Sequence, residues 1–152
     1  MLIRTHLLIT LFFVLLFFSN IENRFLFAIV ALIATFIPDI DSKFSTLGKK
    51  KTFRILQLFI KHRGMLHSFS FLLAITFLLN LFVPFAVLPF FLGYGLHLFA
   101  DSFTKKGIRP FYPFKKRFSW KIKTSGRSET VVFVIFLIAD LSLLFWKIFE
   151  IA

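Results

Sequence analysis

Five long apolar runs alternate with short polar segments along this chain. The runs cover residues 7–18, 25–38, 69–83, 84–100 and 131–149. Only the last approaches the roughly 20 residues that a membrane-crossing helix usually needs, so the others would include flanking residues, tilt or cross a locally thinned bilayer. Backbone polar groups in hydrocarbon must be paired within the segment, which favours helices. The pattern therefore predicts an all-α, polytopic membrane protein of one domain, residues 1–152, with about five transmembrane helices.

Composition supports the membrane assignment and limits the chemistry. Hydrophobic residues make up 58% of the 152 residues, 26 of them are phenylalanine, and the mean hydropathy is +0.85. A soluble domain of this length cannot bury so much apolar surface. The chain has no cysteine, which excludes disulfides, thiolate metal ligands and cysteine nucleophiles. No small-residue cleavage site follows Phe18, which indicates a retained helix rather than a signal peptide.

Charge predicts how the helices are oriented. Seven Lys and Arg residues lie in segment 43–63 and nine in segment 105–127, whereas the turns near residues 22–24 and 80–84 carry no net charge. Short loops rich in Lys and Arg stay on the cytoplasmic side of a membrane. Five spans with a cytoplasmic N-terminus satisfy this rule.

Histidines and aspartates occur at the ends of the apolar runs, on the side that the predicted topology makes cytoplasmic. Ionisable residues at a membrane boundary are costly to bury and are candidates for a functional site. Nitrogen and oxygen donors without sulfur suit zinc, with manganese or iron as alternatives, and more than four donors suggest two metals. The candidate ligands at these ends are His6, Asp39, Asp41, His62, His67, His97 and Asp101.

Two of these polar groups also have a purely structural interpretation. His97 and Asp101 are four residues apart and share one helix face, which suits either a common ion or a helix-stabilising pair. Asp39 and Asp41 could form an ordinary polar helix exit, with Asp41 or Ser42 capping the next segment. Two acids so close together repel unless a positive charge lies between them, and a divalent cation would provide it.

The remaining candidate ligands also have a structural interpretation. His62 and Arg63 could face lipid headgroups, His67 could belong to a helix cap, and His6 could contact headgroups rather than a metal. Glu129, just before the fifth run, is a further cytoplasmic carboxylate that could be a ligand or could complement the helix N-terminus.

Four motifs, in this order, resemble those of the YdjM-like family of prokaryotic inner-membrane metal-dependent hydrolases. They are His6, Pro-Asp-Xaa-Asp at 38–41, His-Arg-Xaa-Xaa-Xaa-His-Ser at 62–68 and His-Xaa-Xaa-Xaa-Asp-Ser at 97–102. The ligand pattern of that family is similar to that of zinc-dependent phospholipase C and the related single-strand nucleases. The resemblance implies that the metal ligands are His6, His62 or His67, His97 and Asp101, with Asp39 or Asp41 as a ligand or general base. No histidine follows His97, so Glu129 is the only downstream candidate for the additional ligands of those soluble enzymes.

The leading functional hypothesis is hydrolysis of a phosphoester in a lipid or another membrane-associated substrate. Metal-activated water would attack, Asp41 or Asp39 would accept its proton, and Arg63 would stabilise charge on the phosphoryl oxygens. The alternative is a non-enzymatic membrane protein with a structural metal site and basic loops that bind a partner or lipid. A transporter fits less well because transport sites lie near the bilayer midplane.

Segment 105–127 also predicts a partner. Its cations alternate with Phe111, Phe114, Phe118 and Trp120, a mixture that suits anionic lipid headgroups at a membrane surface. The same mixture could bind nucleic acid through phosphates and stacked bases. For a loop tethered between membrane spans, we expect membrane lipids as the partner rather than nucleic acid.

Overall fold

Five α-helices form the fold in the computed structural model, which describes residues 1–17, 21–41 and 64–151. The helices are Ile3–Phe17 (α1), Arg24–Phe36 (α2), Phe69–Phe82 (α3), Val87–Ser102 (α4) and Arg127–Ile151 (α5). Short 3₁₀ segments cover Ile37–Asp41, Met65–His67 and Pro84–Ala86. Within the described ranges, β-pairing is limited to two isolated bridges. The prediction of an all-α fold is confirmed.

The start of α3 is fixed by two hydrogen bonds that satisfy backbone N–H groups of its first turn. The Ser68 hydroxyl accepts a bond from the Phe71 N–H at 3.2 Å, and the Pro110 carbonyl accepts one from the Phe69 N–H at 2.8 Å. The first N–H groups of a helix have no partner within the helix, so such caps stabilise its end. The cap holds the residue just before it, His67, at a defined position.

Helices α2 and α4 approach each other closely at Gly93. A Cβ atom added at Gly93 would lie 1.9 Å from the Ala31 carbonyl oxygen, so only glycine permits this backbone contact. Next to the contact lies a buried apolar cluster formed by Ala34, Leu72, Phe90, Tyr94, Leu98 and Ile108. Helix α1 packs along α5 and also contacts α2 and α4.

Two stretches are long and apolar enough to cross a membrane, by length and composition. They are Pro84–Ser102 and Arg127–Phe149, whereas α1 and α3 are shorter apolar helices. The surface of α5 exposes apolar side chains along its whole length, including Val131, Ile135, Ile138, Leu141 and Phe145. Contiguous apolar surface of this kind marks contact with a membrane or a partner. The number of crossings, predicted as five, is not confirmed by these helix lengths.

The segment between α4 and α5 folds back on itself instead of forming an open loop. Bridges join Thr104 to Ile122 and Ile108 to Phe118, and Ile108 is buried in the core cluster. Residues 111–120, which include the turn between the bridged residues Ile108 and Phe118, are all exposed. The segment therefore has an exposed tip, and its base is fixed beside the start of α3 and the end of α4.

Candidate metal centre

Five of the predicted ligands converge at one end of the helices. His6 comes from α1, Asp39 from the 3₁₀ segment after α2, His67 from the 3₁₀ segment before α3, and His97 and Asp101 from α4. They form two overlapping groups, His6–His97–Asp101 and Asp39–His67–His97, and within each group one donor atom per residue lies within 4.8 Å of the others. We call these five residues the histidine–aspartate cluster.

The imidazole nitrogens of the cluster lie opposite carboxylate oxygens. His6 Nε2 is 3.4 Å from Asp101 Oδ1, His67 Nε2 is 3.7 Å from Asp39 Oδ1 and 3.9 Å from Asp101 Oδ2, and His97 Nε2 is 3.8 Å from Asp39 Oδ1. The rings of His6 and His97 stack with centroids 3.8 Å apart. These nitrogen–oxygen separations exceed the roughly 2.7–3.2 Å of an N–H···O hydrogen bond.

Burial differs within the cluster. His6, His67, His97 and Asp101 are at most 1% exposed, whereas the Asp39 side chain is 19% exposed. Burial alone would raise the pKa of Asp39, but the adjacent His67 imidazole and the charges of His97 and His6 together outweigh it and lower that pKa to about 2. Asp39 is therefore ionised at neutral pH and is the member of the cluster nearest to solvent.

The protonation state of His97 follows from its backbone partner. His97 Nδ1 lies 2.8 Å from the Thr35 carbonyl oxygen, which can only accept, so Nδ1 carries the proton. In a neutral imidazole Nε2 then has a free lone pair. Within the described part of the chain, this buried Nε2 has no hydrogen-bond partner, and the same is true of both ring nitrogens of His6. Metal-binding histidines commonly donate their second N–H to a carbonyl in this way.

The side chain of Thr35 also forms a buried hydrogen bond between two helices. Thr35 Oγ1 donates to the Ala31 carbonyl at 2.9 Å and lies 2.9 Å from Thr10 Oγ1, so Thr10 is the donor between the two hydroxyls. Both threonines are fully buried. The pair joins α1 to α2 at the residue whose carbonyl orients His97.

Replacing Thr35 with valine should destabilise the protein more than replacing Thr10 and Thr35 together. The single change leaves the Thr10 hydroxyl buried without its acceptor, which costs about 1–3 kcal/mol, whereas removing both partners can be nearly neutral. Unfolding of the detergent-purified variants measures the two effects. A double variant whose loss equals the sum of the Thr10→Val and Thr35→Val losses would contradict the proposed pairing.

Glu129, the predicted downstream ligand, lies at the start of α5 and bonds to other groups. Its carboxylate accepts hydrogen bonds from the Leu2 N–H, from the Thr5 hydroxyl at 3.1 Å and from the Ser125 N–H. It is 2% exposed. Among the described residues it belongs to neither group of close donors, so the structure places it as a link between α1 and the start of α5.

Three other predicted site residues cannot be placed. Asp41 ends the 3₁₀ segment Ile37–Asp41, but its side chain is outside the described part of the structure. His62 and Arg63 lie outside the described residues altogether. Of the two histidines that the sequence left as alternatives, His67 is the one whose position in the cluster is established.

Sequence reasoning missed two neighbours of the cluster. The Thr35 carbonyl has no side-chain signature, and only the presence of a threonine in an apolar run hinted at a buried polar contact. The α-amino group of Met1 contacts Asp101 Oδ1, so one positive charge already faces this carboxylate. That contact depends on how α1 packs against α4 and has no signal in residue spacing.

Comparison with known proteins identifies the family of this chain. The chain matches the YdjM inner membrane protein family over residues 1–151. No curated protein and no solved structure matches it. Since the match covers nearly the whole chain, including every residue of the histidine–aspartate cluster, the protein belongs to the YdjM inner membrane protein family.

Proposed function

We propose that the histidine–aspartate cluster binds a divalent metal ion, with zinc the first choice and manganese or iron as alternatives. We propose further that the protein uses it to hydrolyse phosphoesters in a phospholipid or another membrane-associated substrate. The observation that carries the proposal is that two overlapping groups of nitrogen and oxygen donors share His97, and within each group the donor atoms lie within 4.8 Å of one another. Three imidazoles and two carboxylates meet in these groups from four separate helical segments.

The pairing of His97 with Asp39 is the clearest argument for a cation. Since Nδ1 of His97 donates its proton to the Thr35 carbonyl, the neutral form of this imidazole presents its lone pair at Nε2. Asp39 Oδ1, a carboxylate acceptor, lies 3.8 Å from this Nε2. Two acceptors that face each other in a buried place repel unless a positive charge lies between them. A proton on Nε2 would need a shorter contact to form a good hydrogen bond, whereas a metal ion suits this gap.

The separations also fit ligands of one ion. Two N or O ligands at about 2.0–2.2 Å from zinc, at a tetrahedral angle, are on the order of 3.3–3.6 Å apart. The nitrogen–oxygen separations in the cluster run from 3.4 to 3.9 Å. A small inward movement of the side chains would therefore complete a coordination shell.

A single ion accounts for the described ligands better than two. His97 belongs to both close groups, and with Nδ1 protonated its Nε2 is left to bind one metal. The two groups therefore surround the same place. A second ion, as suggested by the number of candidate ligands, would need donors such as Asp41 and His62, whose side chains lie outside the described part of the structure.

In the proposed reaction each part of the cluster has its own task. When bound, the ion supplies Lewis acidity toward a phosphoryl oxygen and acidifies water. His6, His67, His97 and Asp101 would hold it. Asp39, on the solvent side of the cluster, is the ligand or the base that accepts the proton of the attacking water, with Asp41 as the other candidate. Arg63 remains the proposed group that stabilises negative charge on the phosphoryl oxygens.

A structural metal site is the second candidate function, and burial favours it. Four of the five cluster residues are at most 1% exposed, and closed sites without an open position are typical of structural zinc. Under this alternative the metal joins the helix ends and the exposed basic segment binds a partner. Turnover separates the two functions, because a structural site stabilises without catalysing.

We also propose that the chain crosses the membrane five times, with its N-terminus and the cluster on the cytoplasmic side. The cluster unites the start of α1, the end of α2, the region before α3 and the end of α4, as expected for helices of alternating direction. Since the chain has no cysteine, single cysteines at Asn80 and Lys116 can report sidedness. We expect an impermeant maleimide to label them from opposite faces, and labelling from one face would refute the five-span topology.

The hydrolase proposal is tested on the full chain in detergent. Protein stripped with a chelator and reloaded with zinc or manganese should hydrolyse bis(p-nitrophenyl) phosphate or the headgroup of a vesicle phospholipid, and the stripped protein should not. Reloading should also raise the free energy of unfolding, by about 2.7 kcal/mol when the free metal concentration is 100 times its Kd. Stoichiometric metal with restored stability but no turnover of any substrate would leave the structural function standing and reject the hydrolase.

A further inference from the structure

A separate cavity lies outside the histidine–aspartate cluster, in the exposed basic segment 105–127 between α4 and α5. It has a volume of about 600 Å³ and is lined by Ser70, Pro110, Phe111, Phe114, Lys116, Arg117 and Phe118. Three phenylalanine rings and a proline form its apolar walls, and the cations Lys116 and Arg117 also line it. Ligand cavities of several hundred Å³ with apolar walls and a few polar groups are typical of small-molecule and lipid sites.

The aromatic residues here are exposed although they are large and apolar. Phe114 is 72% exposed, Phe111 63%, Trp120 59% and Phe118 53%. Exposed cations lie next to them, with Lys115, Lys116 and Arg117 between Phe114 and Phe118, and Lys121 after Trp120. Aromatic residues beside Lys and Arg are typical of protein surfaces that insert at the level of lipid headgroups.

Charge identifies the kind of partner. Segment 105–127 carries nine Lys and Arg residues and no Asp or Glu, so its occupant must be anionic. The apolar walls require that the occupant also has a hydrocarbon part. An anionic phospholipid has both, with a phosphate for Lys116 and Arg117 and an acyl chain for the phenylalanine rings.

The segment is held in place by the structured part of the protein. The Pro110 carbonyl caps α3 through the Phe69 N–H, and Ile108 is packed in the core. The exposed tip therefore does not need to become ordered when a lipid binds, which lowers the entropic cost of binding.

We propose that this cavity binds one anionic phospholipid, with the headgroup phosphate at Lys116 and Arg117 and an acyl chain against Phe111, Phe114 and Phe118. The site does not depend on the metal or on catalysis. It stands if the hydrolase proposal fails, because lipid binding is measured without turnover.

The test uses native mass spectrometry of the full chain in detergent, titrated with phosphatidylglycerol and with phosphatidylcholine of the same acyl chains. Each cation near an anionic lipid contributes enough for about a fivefold change in affinity, so we expect phosphatidylglycerol to bind on the order of tenfold or more tightly. Lys116→Gln with Arg117→Gln should abolish the preference, and Lys116→Arg with Arg117→Lys should retain it. Phe114→Ala should weaken both lipids alike.

The matched control is Lys105→Gln with Lys106→Gln, which removes two exposed cations of the same segment that do not line the cavity. It should keep the preference for phosphatidylglycerol. Equal binding of the two lipids, or an equal loss in the control, would overturn the proposal. So would competition by glycerol phosphate as strong as that of the lipid, since it lacks an acyl chain, or tighter binding of a single-stranded oligonucleotide with the same dependence on Lys116 and Arg117.

Discussion

Replacing His97 and Asp101 together with alanine should remove bound metal from the purified protein and abolish metal-dependent hydrolysis. The two side chains come from one helix and contribute to the group that also contains His6. Loss of an outer hydrogen-bond partner of a metal ligand already weakens metal binding about 10–100-fold, and loss of two ligands should cost more. Metal analysis by mass spectrometry and the phosphodiester assay measure the two effects.

Asp140→Asn provides the matched control for this experiment. Asp140 is also a buried carboxylate, 2% exposed, but it lies in α5 and belongs to neither close group of donors. Its substitution should leave the metal content unchanged. Equal metal content in wild type and the double variant, both folded, would show that His97 and Asp101 are not ligands.

Replacing Gly93 with alanine should destabilise the fold and weaken metal binding together. The added Cβ would lie 1.9 Å from the Ala31 carbonyl oxygen, which is backbone and cannot turn away. Overpacking of this kind costs about 1–3 kcal/mol, and sometimes more. Ala31 and Gly93 are each one helical turn before Thr35 and His97, so separating the helices there also stretches the bond that orients His97.

Gly95→Ala separates this effect from the general effect of replacing a helical glycine. Its Cβ would meet Leu72 Cδ2 at 3.5 Å, an ordinary contact. Alanine is favoured over glycine within a helix by about 0.5–1 kcal/mol, so this variant should be as stable as wild type or slightly more stable. Unfolding and metal titration of both variants test the comparison, and a Gly93→Ala protein with wild-type metal affinity would contradict the proposed role of the close approach.

Residue pattern alone was sufficient to predict the helices and much of the cluster. The ends of apolar runs fix where helices begin and end, and alternating helix direction brings every second end to one side. His6, Asp39, His67, His97 and Asp101 were therefore expected near each other, and the structure brings all five together. Their role as metal ligands remains a prediction.

Contacts that depend on helix packing could not be predicted in this way. Glu129 is near in sequence to the start of the fifth run, but its carboxylate bonds to Thr5 and Leu2 because α5 packs along α1. Residue spacing within one helix contains no information about that pairing. The backbone carbonyl of Thr35 is equally invisible, since every residue has one.

The apolar runs alone do not determine how many helices cross the membrane. The apolar runs predicted about five spans, but α2 has 13 residues, α3 has 14 and α1 has 15. At 1.5 Å per residue such helices are shorter than a hydrocarbon core of about 30 Å. Whether they cross depends on flanking residues and on bilayer thickness, and neither is encoded in hydropathy alone.

The most direct test of the account is X-ray absorption spectroscopy at the zinc edge on the detergent-purified, zinc-loaded full chain. The account predicts at least one ion per chain, bound by nitrogen and oxygen at about 2.0–2.2 Å, with the multiple-scattering signature of several imidazoles. That signature should disappear in the His97 and Asp101 double variant. A protein that retains no stoichiometric metal, or an ion surrounded by oxygen alone without imidazole, would contradict it.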